Sequence, residues 1–386
     1  MSRIDDLIAE YCPDGVKHQT LGEIGEFIRG NGIQKRDFQD SGFGCIHYGQ
    51  IYTYYGLFAD HTKSFIDPNL AEKRKKAYKG DLVIATTSEN EEDVCKACAW
   101  LGEEPIAISG DAYIFRHHQN PKYISYCFQS ELFQSQKKKY ITGTKVLRVN
   151  GDAMAKIHVP VPPLPVQEEI VRILDSFSSL EAELEAELEA RRKQYTHYRD
   201  ELLKFERVLI ASLGELCKIS VGRKNGTAGE FGEYPYVNAG TSMSGFVNEW
   251  SEEGDCVTTP SRGQGGMGFV AYQASRFWCG PLCYVMRSKH SDVMIKYVYY
   301  YLCSHKDDIL GLVHEGGTPA INKSELAGLR ILVPPFEEQQ RIVSILDRFD
   351  KLTNDLSSGL PAEIEARHKQ YEYYRDRLLS FDELAA

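Results

Sequence analysis

The stretch Val161-Pro162-Pro163-Leu164-Pro165-Val166-Gln167-Glu168-Glu169-Ile170-Val171-Arg172-Ile173-Leu174-Asp175 decides the architecture, because its pattern occurs twice. Val333-Pro334-Pro335-Phe336, Gln339, Ile342-Val343 and Ile345-Leu346-Asp347 repeat it 172 positions downstream. Lys193-Gln194-Tyr195, Tyr198-Arg199-Asp200, Leu202-Leu203 and Phe205 return as Lys369-Gln370-Tyr371, Tyr374-Arg375-Asp376, Leu378-Leu379 and Phe381. That second offset is 176, so the downstream copy carries four extra residues. Upstream, Leu21-Gly22-Glu23-Ile24 is echoed by Leu213-Gly214-Glu215-Leu216, Gly80-Asp81 with Val83 by Gly254-Asp255 with Val257, and Gly143-Thr144 by Gly317-Thr318. Between these anchors the copies differ almost completely. An internal repeat outranks local signals in fixing a fold. The chain is two modules, each a variable region followed by a well-matched one.

The matched regions are predicted to be long helices. Ile170, Leu174, Phe177, Glu181, Leu184, Leu188, Arg191, Tyr195, Tyr198, Leu202 and Phe205 advance by steps of four and three, an almost wholly apolar heptad seam. The prolines from Pro160 to Pro165 set its start, because a helix cannot run through them. The second seam is Ile342, Leu346, Phe349, Thr353, Leu356, Leu360, Ile364, Arg367, Tyr371, Tyr374, Leu378 and Phe381. Two consecutive steps of four absorb the extra residues as a stutter. Gly359 and Pro361 fall at the same place, which predicts a kink or a short break. Each helix spans roughly 40 residues, or about 60 Å. Either each packs on its own variable region or the two seams pack on each other; the second is the expectation, in antiparallel pairing about an approximate two-fold axis.

The variable heads are rich in Gly, Tyr, Phe and Thr. They read as α+β domains with curved sheets, with strands at Asp81–Ala85 and Tyr284–Met286 and helices at Pro121–Lys139 and Val293–Cys303. Gly30-Asn31-Gly32 and Asn225-Gly226 signal turns. The resulting division is an N-terminal segment 1–16, a head 17–160, a helix 161–206, a head 207–334 and a helix 335–381.

Bulk properties set the class. The 386 residues carry 55 acidic and 45 basic side chains, net −10, with 42% hydrophobic and 26% charged residues, as in a soluble globular protein. No apolar run is long enough to span a membrane, and Met1 to Asp14 lack the layout of a signal peptide. Ten scattered cysteines then suggest reduced thiols in a cytoplasmic protein.

Catalytic signatures are missing. Gly263-Gln264-Gly265-Gly266-Met267-Gly268 matches GxGxxG, but Phe269-Val270-Ala271-Tyr272 follows as a strand where dinucleotide binding needs a helix. Cys95-Lys96-Ala97-Cys98 is a single CxxC, with His117-His118 as the nearby pair that could complete a zinc site. Cys279 and Cys283 sit among aromatics as core residues. The Val-Pro-Pro segments resemble the Asn/Asp-Pro-Pro-aromatic motif of amino-methyltransferases, yet valine cannot accept hydrogen bonds from a target amine. No Walker loop or nucleophile elbow is present, so no catalytic, metal or cofactor residue is assigned.

Polar and aromatic residues concentrate in the heads as candidate DNA contacts. In the first these are Lys35, Arg36, His47, Tyr48, Gln50, Lys137 and Lys138, with further basic residues at Lys73–Lys76 and tyrosines 52, 54 and 55 spaced as in a strand. In the second they are Arg223, Lys224, Asn238, Thr241, Thr259, Ser261 and Arg262. Basic clusters near glycine turns suit phosphates, whereas Arg, Gln and Asn can read base edges. A solvated helix face is the competing explanation for the lysine runs.

Two divergent heads, each followed by a near-copied helix opening after Val-Pro-Pro-hydrophobic-x-x-Gln, resemble the specificity subunit of type I restriction–modification systems. Tyr234-Pro235-Tyr236 and Ser244-Gly245-Phe246 are also similar to that family. The resemblance implies a non-catalytic subunit whose two target-recognition domains each read half of an asymmetric, bipartite site on double-stranded DNA. It further implies helices that set the unread spacer and dock two modification subunits carrying S-adenosylmethionine, and through them restriction subunits using ATP and Mg. The alternative is a coiled-coil scaffold whose heads bind protein or carbohydrate.

The charge divides along the repeat. The first head (17–156) nets +2 and the second (207–334) nets 0, while the helices at 166–206 and 337–381 net −5 and −2. Near-neutral heads predict tight DNA binding only within a complex.

Overall fold

The computed structural model describes residues 3–224, 228–314, 316–355 and 357–384. The turn expected at Asn225-Gly226 and the seam position Leu356 lie outside them. The chain forms two compact units: one of residues 1–183 with 365–386, the other of 184–364.

In the first unit, a five-stranded sheet runs in the order Gly25–Arg29, Ala112–His117, Leu82–Ala85, Lys96–Trp100 and Phe58–Ala59. A four-stranded sheet follows the order Ser64–Ile66, Phe43–Ile46, Ile106–Ile108 and Lys76–Ala77. Each sheet mixes antiparallel pairs with one parallel pair. The segment expected as one helix from Pro121 is two, Pro121–Gln129 and Glu131–Lys137, because Ser130 leaves helical geometry and caps the second through Phe133 N. The tyrosines at 52, 54 and 55 do not lie on a strand. His47 Nδ1 accepts Gly49 N, and the Gln50 carboxamide accepts His47 N, which starts a helix over Tyr48–Thr53. In the second unit, Cys217–Val221, Cys283–Ser288, Cys256–Pro260 and Ala271–Gln273 form an antiparallel sheet. Phe246–Val247, Tyr234–Val237 and Trp278–Cys279 form a smaller one. Its main helix is Ile295–Ser304.

The anchors of the repeat hold each head at its entry and exit. Antiparallel ribbons pair His18–Thr20 with His158–Pro160, and Leu209–Ser212 with Arg330–Val333. Leu21–Ile24 and Leu213–Leu216 are one-turn helices closed by the capping boxes Thr20/Glu23 and Ser212/Glu215. A Cβ on Gly22 or Gly214 would sit 3.2 or 2.9 Å from the Ala155 or Ala327 methyl, so both close approaches favour glycine. Gln167 donates to Pro162 O (2.7 Å) and accepts Asn120 N (3.0 Å); Gln339 donates to Pro334 O (2.9 Å) and accepts Met294 N (2.9 Å). Asp175 receives Lys122 Nζ (2.6 Å) and Tyr126 OH (2.8 Å), and Asp347 receives Lys296 Nζ (2.8 Å) and Tyr300 OH (2.6 Å). The Gly-Thr echo is different. The turns closed by Thr142↔Arg148 and His314↔Ala320 match, but Gly143-Thr144 stands two positions earlier in its turn than Gly317-Thr318 does.

The first long helix is continuous from Leu164 to Leu202, 39 residues. The second is broken into Phe336–Asn354 and Leu360–Leu378. At the break, Asp355 accepts Ser357 N and the hydroxyls of Ser357 and Ser358, and Gly359 N donates to Asp355 O. A Cβ on Gly359 would lie 2.6 Å from Lys351 O, so only glycine fits this tightly. The seam has two uses. Ile170 and Leu174, like Ile342 and Leu346, are fully buried in the core of the adjoining head. Beyond them the helices meet each other. In the first unit Phe177 stacks on Tyr374 (5.4 Å between centroids), Tyr371 and Leu378 join the same core, and Glu181 pairs with His368 (2.8 Å). Residue number rises along one helix as it falls along the other, so they run antiparallel. In the second unit Tyr195 and Tyr198 contact Phe349 at 6.3 and 5.7 Å, and Leu202 packs on the core. Leu184 and Leu188 are half-buried, and Tyr198 keeps 43% of its surface exposed despite the ring contact.

Candidate nucleic-acid interface

In the first head the segment Gly30–Asp37 is held against the turn at Lys73–Lys75. Asn31 does this with both ends of its carboxamide: Nδ2 donates to Lys73 O (3.1 Å) and Oδ1 accepts Lys75 N (2.7 Å). Gly32 has φ +61°, and a Cβ there would sit 2.6 Å from the Arg74 guanidinium. Lys35 and Arg36 lie exposed on the 3-10 turn Lys35–Asp37, which closes when the Asp37 carboxylate accepts Gln34 N (2.8 Å). Phe38 meets the His47 ring edge-on at 5.9 Å, and His47 in turn packs on Tyr48 at 4.6 Å. Burial and then the nearby Lys35 charge hold His47 below the usual imidazole range, so the ring stays neutral and caps its helix. Lys35, Arg36, His47 and Tyr48 therefore share one loop neighbourhood. Gln50 belongs to the framework, closing the capping box and donating to Ser64 Oγ (2.7 Å).

Beside that loop, Arg29 donates to Gly110 O (3.1 Å) at the edge of a cleft of about 270 Å³, lined also by Thr87, Asp111, Tyr113, Arg148 and Asn150. Two arginines, a carboxylate and an amide offer complementary donors and acceptors for base edges. Arg29, Asp111 and the pair Arg148/Asn150 come from three separate segments and form no local pattern, so nothing in the sequence marks them as a group.

Lys137, expected among the DNA contacts, does not lie on the surface. It is fully buried, and its ammonium donates to the carbonyls of Glu91 (2.7 Å), Glu92 (3.2 Å) and Val94 (3.0 Å). It pins the loop after the central strand and cannot reach DNA. Lys138 is exposed, but it lines an acidic groove with Glu91, Glu92, Glu131 and Glu372.

In the second head Arg223, Lys224 and Arg262 are exposed. Asn238 and Thr241 line a cleft of about 200 Å³ with Ser242, Met243, Thr258 and Gln273. Asn238 Oδ1 is occupied by Leu282 N (2.9 Å), which fixes the side chain, and Gln273 donates to Thr258 Oγ1 (3.0 Å). Thr259 and Ser261, also expected among the DNA contacts, are not on the surface either. Thr259 is buried with its hydroxyl on Phe269 O (2.8 Å), and Ser261 is buried where the strand ends, its backbone bonded to Leu282 and Ile321.

The remaining motifs are structural. All ten cysteines are free, and burial pushes the Cys95 and Cys98 thiols up to about 12. Among the described residues no His/Cys/Asp/Glu group is placed to hold a metal, and no helix is long and apolar enough to cross a membrane. The segment Gly263–Gly268 is a loop that leads into the strand Ala271–Gln273, with no helix after it.

The profile of the type I restriction modification DNA specificity domain matches twice, over residues 13–190 and 208–366. The chain belongs to this family. Among its relatives is the EcoR124I/EcoR124II specificity subunit of Escherichia coli, 35% identical over 273 residues, covering 60% of this chain and 65% of that one. Another is the MpnII specificity subunit of Mycoplasma pneumoniae, 32% identical over 208 residues, covering 50% of this chain and 62% of that one. The match spans just under two thirds of either relative. The crystal structure of the S subunit of a type I restriction-modification system from M. genitalium shares the fold, with a TM-score of 0.61 at 14% identity over 94% of this chain and 96% of that one. The α+β, two-headed, helix-linked architecture is thus that of the specificity subunits. The matched family leaves the protein- or carbohydrate-binding scaffold without support.

Proposed function

We propose that this chain is the DNA-recognition subunit of a type I restriction–modification complex and has no catalytic role of its own. The twofold match of head plus helix to the specificity domain carries this reading. Head 17–160 reads one half of a bipartite duplex site and head 207–334 the other. The helices at 161–206 and 335–381 keep the unread spacer constant, much as dimer geometry fixes half-site spacing in other DNA readers. They also dock two modification subunits, and restriction subunits join through these, all in the cytoplasm. S-adenosylmethionine, ATP and Mg belong to those partners. The net −10 of the chain agrees with binding that needs basic partners around the duplex. The test maps methylated adenines across a host genome with and without the gene. A gene-dependent bipartite motif with one fixed gap is expected; a continuous motif, or none, would refute the reading.

A further inference from the structure

The two heads differ in where they carry unpaired positive charge. Residues 29–37 and 67–76 of the first head contain seven basic and three acidic side chains, net +4, although the head as a whole nets only +2. Two of those acids are used locally: Asp37 caps Gln34 N, and Asp67 caps Asn69 N and Leu70 N. Lys35, Arg36, Lys73, Arg74 and Lys75 have no acidic partner among the described residues. The Arg74 Nε is shielded from water and has no hydrogen-bond acceptor, so its charge is not neutralised within the head. The Asn31 staple and the left-handed Gly32 hold the two basic segments side by side before any ligand arrives. In the second head Arg276, Arg287 and Lys296 are spent on Glu253, Glu252 and Asp347. The exposed Arg223, Lys224 and Arg262, which also lack an acidic partner among the described residues, are fewer and divided between two segments.

We propose that the Asn31-stapled corner of Lys35, Arg36, Lys73, Arg74 and Lys75 is a preformed clamp for DNA phosphates, so that the chain's own backbone contacts come mainly from its first head. The clamp contributes affinity common to all sequences and leaves base discrimination to the adjoining cleft. The inference rests on the DNA-recognition reading above. It predicts a specific electrostatic asymmetry, because removing one cation from a phosphate lowers the slope of log K against log salt by about 0.9.

The test compares the full chain, assembled with its modification subunits, with the variants K35Q/R36Q/K75Q and R223Q/K224Q. Equilibrium binding is measured from 50 to 200 mM KCl on the recognised duplex and on a duplex with both half-sites scrambled. The first variant is expected to lose about 2.7 in slope, so the wild type falls about 40-fold further than the variant across that range. Both duplexes should weaken alike, leaving their affinity ratio unchanged. R223Q/K224Q should lose less than about 1 in slope. Equal losses for the two variants, or a changed ratio for the first, would overturn the clamp. A wild-type complex that does not distinguish the two duplexes would instead overturn the DNA-recognition reading beneath it. All substituted residues are exposed, and unaltered thermal unfolding verifies that each variant folds.

Discussion

Replacing Lys137 by methionine separates a folding role from a DNA-binding one. The side chain is fully buried and its ammonium satisfies three carbonyls, those of Glu91, Glu92 and Val94. Hydrogen bonds from a charged donor contribute about 1.5–3 kcal/mol each, so three give a gross gain of about 5–9 kcal/mol. Desolvating the ammonium costs several kcal/mol in return, which leaves a net loss on substitution of about 3 kcal/mol. Methionine fills most of the volume, so the loss comes from the three orphaned carbonyls. With a urea slope of about 2–3 kcal/mol per molar, the unfolding midpoint of the first unit should fall by about 1 M. Amide exchange should rise first in residues 88–94, the loop the lysine pins. In a urea-free salt series the slope of log K for DNA should not change. A Lys137→Met protein with wild-type stability and a slope lowered by about 0.9 would refute this account and return Lys137 to the phosphate contacts.

The first unit should also lose stability in mild acid through His117. Burial, opposed only in part by the Asp81 charge, lowers this imidazole to about 4. The folded pKa lies below the unfolded ~6.5, so the unfolded chain binds the extra proton and stability falls as pH drops from about 6.5 toward 4; about 2 kcal/mol should go between pH 7 and 5. Urea midpoints for wild type and His117→Gln at both pH values check this, and an equal acid sensitivity in the two would count against it. Asp175→Asn and Asp347→Asn each remove a lysine partner at an equivalent junction and should cost about 1 kcal/mol, discounted for part exposure. Residue-resolved hydrogen exchange should place the first loss in one unit and the second in the other; a loss shared by both units would contradict the independent networks. Deleting residues 356–359 removes most of the break in the second long helix. Methylation mapping should then show an altered gap or no modification, with half-site sequences intact; altered half-sites with an unchanged gap would sink the spacer role.

The helices were legible because their information is local: an apolar residue every three or four positions, a proline start, and a Gly359/Pro361 stop and restart. The echoes Leu-Gly-Glu, Gln167/Gln339 and Asp175/Asp347 were legible for a different reason. Each performs the same bond in both modules, and duplication displays that without an alignment. The heads were less transparent. The spacing of tyrosines 52, 54 and 55 reads as a strand, but the His47/Gln50 cap starts a helix that takes in Tyr52 and ends before Tyr54 and Tyr55.

Sequence by itself thus determined a two-module chain, helices of about 40 residues with one interruption, and a positive balance restricted to the first head. Tertiary structure decided which charges are free. Lys137 and Lys138 are neighbours with the same chemistry, yet one is buried under three carbonyls and the other is exposed. Lys35 and Lys75 are forty residues apart, yet a single asparagine holds their segments together. Helical periodicity is written within one or two turns of chain, whereas the accessibility and neighbourhood of a charge depend on segments the sequence keeps far apart.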